Sequence, residues 1–182
     1  MNSQIRYLML KRLLKPFFLL VITFILYFSA NAQVKPPEQP PRPIDVTVSN
    51  LQHLNFGTVI PTSIAGGSVF VDFNNNATPS GDVLLLHSYQ CTAALFIVDA
   101  EPGVLFIIDY PIPNPTLGKG GFSITAHLGE PNVDLKPGTQ FITRTKYTYV
   151  YIGGTLTVGS LSANPEGTYN GTFPVTFTQI QQ

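Results

Sequence analysis

The sequence predicts an all-β fold, an antiparallel β-sandwich or barrel, on three observations. From Ile44 onward the chain is built of short runs that alternate apolar and polar residues or are continuously apolar, and no helical period appears. Gly, Pro and Asn interrupt these runs roughly every dozen residues, the turn spacing of antiparallel strands. The single cysteine, Cys91, excludes an intramolecular disulfide. The domain must therefore stand on its core, and about 140 residues suffice for one.

Residues 1–32 read as an export signal. Arg6, Lys11, Arg12 and Lys15 form a basic start, Phe17 to Phe28 is apolar apart from Thr23, and "SANAQ" offers Ala30 and Ala32 for cleavage. The apolar run is shorter than the ~20 residues of a membrane-spanning helix. Cleavage after Ala32 leaves 150 residues with six Lys/Arg against ten Asp/Glu, a formal charge of −4. A mildly acidic chain with scattered cations is not built for nucleic acid. Residues 33–43 are a proline-rich linker. Five prolines between Pro36 and Pro43 favour polyproline II, a spacer of roughly 30 Å at ~3.1 Å per residue. It serves either as a stalk or as a plain terminus.

Residues 44–182 are the β-domain. "IDVTVSN" places Ile44, Val46 and Val48 on one face, and "GSVFVDFN" does the same for Val69, Val71 and Phe73. "DVLLLHS", "AALFIVDA" and "VLFIIDY" are continuous enough for strands buried on both faces. "GFSITAH" follows a Gly/Pro loop. "FITRTKYTYVYI" alternates, with Tyr147, Tyr149 and Tyr151 on one face and Arg144 and Lys146 on the other; "GTLTVGS" comes next. "IAGGSVFV" and "IGGTLTV" echo each other, which implies two strands entered through a bulge or tight bend that only glycine tolerates. The tail "GTYNGTFPVTFTQ" puts Tyr169, Gly171, Phe173, Val175 and Phe177 on one face. Pro174 cannot donate to a ladder, which assigns this strand to a sheet edge. Burial of the three large apolar side chains, at roughly 1.5–3 kcal/mol each, makes the tail a closing core strand.

Signatures of chemistry are few. His53, His87 and His127 have no ligand spacing, and no nucleophile elbow or phosphate loop is present, so the reading assigns no catalytic residue, no metal and no cofactor. "DFNNN" has the alternate spacing of a calcium loop, but Ala77 and Val83 stand where Gly and Glu are required, so it reads as an Asn-rich hairpin turn. Cys91 lacks nearby cations and reads as a small core residue. "NAT" and "NGT" are formal glycosylation sequons. Tyr147, Tyr149 and Tyr151 are the candidate ligand-binding face, an aromatic platform for sugars, set against ordinary cross-strand packing.

Taken in order, "LNFGTVIP", "GGSVFVDF", "AALFIVDAEPGVLFIIDYP", "IGGTLTVG" and "EGTYNGTFPVTF" resemble the bacterial domain-of-unknown-function family 4402, from Leu54 to Phe177. Asp99 and Ala100 depart from that family's Gly before the "EPG" turn. The resemblance implies a secreted or surface immunoglobulin-like or pilin-like β-sandwich, distantly similar to spore-coat-U-like domains, and brings no catalytic residues. Three functions follow as expectations. One is an exported, non-catalytic structural or adhesive subunit, periplasmic or at the cell surface, which meets other surface proteins or self-associates through its terminal edge strand. The second is a carbohydrate- or ligand-binding module that takes glycans on the tyrosine face. The third is a hydrolase with a dispersed site. Donor-strand polymerisation through the N-terminal extension is disfavoured because "PPEQPPRP" is poor in the N–H groups a ladder needs.

Overall fold

The computed structural model describes residues 42–86, 88–133 and 140–180. The predicted export signal, the proline-rich segment as far as Pro41, and His87 lie outside the described residues. Twelve strands run through those residues: β1 (Asp45–Val48), β2 (Thr58–Pro61), β3 (Gly67–Val71), β4 (Ala77–Gly81), β5 (Val83–Leu86), β6 (Ala94–Asp99), β7 (Leu105–Asp109), β8 (Thr116–Lys119), β9 (Phe122–Pro131), β10 (Gln140–Ile142), β11 (Tyr147–Val158) and β12 (Thr176–Ile180). A 3-10 turn at Ser88–Gln90 separates β5 from β6. Every pairing is antiparallel, so the all-β expectation holds.

The long strand β11 organises the larger sheet. Its first half, Tyr147 to Ile152, pairs with β6, and its second half, Gly154 to Val158, pairs with β3. The opposite edge of β11 pairs with β9. β1 then lies outside β6, β4 outside β3, and β8 outside β9. The inner face follows the alternation of the sequence: Ala94, Phe96 and Val98 on β6, Val69 and Val71 on β3, and Val150, Ile152, Leu156 and Val158 on β11 are all buried.

A second layer covers this face in two pieces. The three-stranded sheet β10-β7-β12 supplies Phe106, Ile108 and Phe141 to a first core with Phe96, Val98, Val150 and Ile152. The two-stranded ribbon β2-β5 supplies Val59, Val83 and Leu85 to a second core with Val69, Val71, Ile124, Leu156 and Val158. Among the described residues no strand pairing joins the two pieces. The arrangement is sandwich-like, with a second layer that is discontinuous.

Several expectations need correction. "FITRTKYTYVYI" is not one strand. β10 belongs to the small sheet and β11 to the large one, and the chain changes layers at Thr143. That corner is fastened: the buried Thr143 hydroxyl donates to the Glu101 carbonyl at 2.6 Å, and the Thr143 N–H donates to the Val104 carbonyl at 3.0 Å. "GTLTVGS" is not a separate strand either, because β11 continues through Gly153 and Gly154, with a bulge in its register against β9 between Ile152 and Gly154. A Cβ at Gly153 would collide with the Val71 carbonyl oxygen, so glycine is needed here for close approach of strands and not for a turn. Gly66 answers it at the other end of β3, with φ +68° and no room for a Cβ beside the Val158 carbonyl. The two echoing stretches are thus direct neighbours, with Gly154 opposite Val71 and Val158 opposite Gly67. "DVLLLHS" is not buried on both faces. It sits in the two-stranded ribbon, and Leu84 is 50% exposed. Phe73 is 46% exposed, because β3 ends at Val71 where the hairpin turn begins.

The tail closes the first core, as expected. Among the described residues β12 pairs only with β7, so it is an edge strand there. Phe177 lies 5.6 Å from Phe96 and 6.3 Å from Phe106, ring centre to ring centre. Phe173 and Val175 pack on the same core from an extended lead-in outside the ladder, and Pro174 falls within that lead-in.

Candidate functional site

Two surfaces are open to partners. The first is the outer face of the large sheet, where alternation along β11 directs Tyr147, Tyr149 and Tyr151 away from the core while Val150 and Ile152 are fully buried. Tyr147 is 47% and Tyr149 51% exposed, and Tyr151 is half-buried. The register sets Tyr149 beside Ile97 and Tyr151 beside Leu95 on β6, with Thr47 of β1 beyond Ile97. The backbone beneath is pinned by Asn132. Its side-chain amide donates to the Tyr149 carbonyl at 3.2 Å, and its Oδ1 accepts from the Tyr151 N–H at 2.7 Å.

The end of this face is charged. Asp45, Asp99 and Tyr147 are neighbours across three strands. Two carboxylates directly opposite each other repel, and cations offset this: Arg42 Nη2 lies 3.6 Å and Lys146 Nζ 4.0 Å from Asp99 Oδ2. Lys146 precedes β11 and turns its ammonium over the Tyr147 ring, 4.8 Å from the ring centre, instead of projecting from the opposite face as the alternation predicts. Its pKa is raised, first by the Tyr147 hydroxyl and then by Asp99. Asp99 Oδ1 is buried and has no hydrogen-bond partner.

The second surface is a cleft of about 790 Å³ beside β2. One wall is the segment from His53 through β2, and the other is Asn164–Asn170. The floor is Leu117, Ile124, Leu156 and Val158 from the large sheet. The Tyr169 hydroxyl donates to the Pro165 carbonyl at 2.8 Å and Lys119 Nζ lies 5.9 Å from its ring centre, which fixes the second wall. Asn170 and Gly118 exchange backbone hydrogen bonds at 2.8 and 3.2 Å, so the sequon asparagine Asn170 anchors the wall to β8.

Cys91, Asp72 and His127 are engaged within the fold. Cys91 is 1% exposed, and burial pushes its thiol pKa up. Asp72 accepts from the Asn74 and Asn76 N–H groups at 2.8 Å, an Asx turn, while Asn75 adopts φ 65°. The Asn75 Oδ1 accepts from the Ala93 N–H at 2.8 Å, tying the turn to β6, so "DFNNN" is the hairpin turn expected of it. Its asparagines lower the Asp72 pKa, the Asn76 side chain most. His127 Nδ1 and Asn114 Oδ1 share a hydrogen bond at 2.7 Å. Among the described residues no three His, Cys, Asp or Glu side chains are grouped to hold a metal ion, and no helix is long and apolar enough to cross a membrane.

The tyrosines were readable from their period of two. The cleft was not, because its lining comes from four separated stretches with no shared motif. Its signal lay in the resemblance: "LNFGTVIP" and the start of "EGTYNGTFPVTF" form its walls, and "IGGTLTVG" supplies Leu156 and Val158 to its floor. The family described as "Domain of unknown function (DUF4402)" matches residues 46–178, and the chain belongs to it. No curated protein and no solved structure matches the chain.

Proposed function

We propose that this DUF4402 chain is an exported, non-catalytic β-sandwich protein of the periplasm or cell surface, and that it works as a structural or adhesive subunit by presenting its folded surface to other molecules. The observation that carries this reading is the outer face of the large sheet. There Tyr147 and Tyr149 stand half exposed beside Asp99 and Ile97, on the side away from both cores. Apolar aromatic groups held on a rigid sheet suit contact with a partner surface. The basic start, apolar run and small-residue pair of residues 1–32 support export. Fractionation of cells expressing the chain, with protease added to intact cells, tests location; recovery of full-length protein in the cytoplasm alone refutes export. Co-purification of surface components with wild type but not Tyr149→Ala tests the contact face.

A second reading is a glycan-binding module on the same face. Its specific support is the tyrosine row itself: Tyr147 and Tyr149 are half exposed and Tyr151 half-buried on one face, which offers ring surfaces for stacking sugars beside the partly exposed Asp99 carboxylate. Glycan-array binding lost in both Tyr149→Ala and Asp99→Asn favours this reading, and an array silent for wild type removes it.

A further inference from the structure

We propose that the cleft beside β2 is a strand-acceptor site: an extended peptide segment of a different protein enters it and adds to β2 as a third strand of the β2-β5 ribbon. This goes beyond the proposed function, which concerns the opposite face of the large sheet and neither requires nor implies the cleft.

The cleft is lined by every residue of β2 and by none of β5, so it runs along the edge of β2 that β5 does not use. The register shows which backbone groups face it. The Thr62 N–H donates to the Asp82 carbonyl at 2.8 Å, continuing the β2-β5 ladder by one residue. Bonded pairs alternate along an antiparallel ladder, so Ile60 and Thr58 direct their backbone groups to β5 and Val59 directs its N–H and C=O into the cleft. Pro61, the next residue facing that way, has no N–H to leave unpaired. The cleft therefore combines, among the described residues, one unpaired donor and acceptor pair on a strand edge with an apolar floor of Leu117, Ile124, Leu156 and Val158. A peptide backbone in extended form matches both features. Its amides meet Val59, its alternate side chains descend onto the floor, and the others point to solvent. Small branched apolar residues at alternate positions suit a floor of Leu, Ile and Val.

The chain's own strands are poor sources for this occupant. The proline-rich stretch Pro36–Pro43 is short of backbone N–H groups. β1 is laddered to β6, and the tail is fixed by Phe177 between Phe96 and Phe106. A different protein supplies the strand.

The test uses the chain from Gln33 to Gln182, isotope-labelled, with the synthetic peptide acetyl-KVTVTVK-amide as probe and the same peptide N-methylated along one edge as control. The expected result is saturable binding, with exchange of the Val59 amide proton slowed roughly tenfold or more, and no binding of the methylated peptide. Val59→Pro removes the cleft-facing N–H without touching a β2-β5 bond and abolishes binding; retained dispersion of the spectrum shows that it folds. Thr168→Trp, an exposed change on the far wall, narrows the cleft and weakens binding with an unchanged melting temperature. Absence of binding, equal binding of the methylated peptide, or binding that leaves Val59 unprotected overturns the site. Self-association of the free chain in sedimentation, abolished by Val59→Pro, overturns the assignment to a different protein.

Discussion

The two ends of β11 lie in different surroundings. From Tyr147 to Ile152 its inner face is sealed by β10-β7-β12, and the seal is aromatic: Phe106, Phe141 and Phe177 close on Phe96. From Gly154 to Val158 the cover is a two-stranded ribbon, the packing is largely Val, Leu, Ile and Cys, and a cleft reaches the floor. Most of the fully buried large side chains, among them Phe106, Ile108, Val98, Val150 and Ile152, belong to the first end. Three paired strands can close over a sheet, while a hairpin is narrower and leaves one strand's width uncovered. The difference teaches that this fold packs one end of its longest strand under a closed aromatic layer and leaves a cleft over the other.

Removing the seal is the most severe way to break the comparison. A chain ending at Tyr169 loses Phe173, Val175 and Phe177 and is expected to show no cooperative thermal transition by calorimetry; a sharp transition would place the stability elsewhere. Single truncations measure the asymmetry. Phe106→Ala should cost about 3–5 kcal/mol in urea unfolding, and Leu156→Ala, beside the cleft where neighbours can relax, about 2 kcal/mol. Equal costs would erase the distinction between the ends. Gly153→Ala tests the crossing point. The new methyl meets the Val71 carbonyl, and a loss of about 1–3 kcal/mol is expected from that overpacking.

The smallest effect sharpens the comparison at the hairpin turn of the second end. Asp72 has a pKa held below its ordinary 3.8 by Asn76 and Asn74. A carboxylate with a depressed folded-state pKa contributes stability that is present above the unfolded value of about 3.9 and lost as pH falls through the lower folded value. Asp72→Ala should therefore lower the melting temperature slightly at pH 7, and the difference from wild type should shrink as pH falls through the lowered folded-state value. A difference that persists in acid would assign the effect to the turn's shape and not to its charge.

Much of the architecture was legible because a period of two is a local property. Tyr147, Tyr149 and Tyr151 outward with Val150 and Ile152 inward follows from alternation alone, and so does the burial of Val69 and Val71. The Asn-rich turn and the inert Cys91 were legible for the same reason, from residue chemistry over a few positions. The fate of "FITRTKYTYVYI" and "IGGTLTVG" was not. Neither a break that changes layers at Thr143 nor a Gly-Gly pair that only bulges a continuous strand announces itself in sequence. Which one interrupts a strand depends on carbonyl groups contributed by β3 and β9, far away in the chain.

By itself, then, the sequence determined the all-β class, the inward and outward face of most strands, and the membership that residues 46–178 carry. Hydrophobic alternation and turn chemistry act between near neighbours, so they survive without the fold. Only the tertiary structure decided that the echoing glycine stretches pair with each other, that the second layer comes in two pieces, and that the edge of β2 faces a cleft. Those features are set by pairings between residues about ninety positions apart, such as Gly67 and Val158, and no local pattern encodes which distant edge is left uncovered.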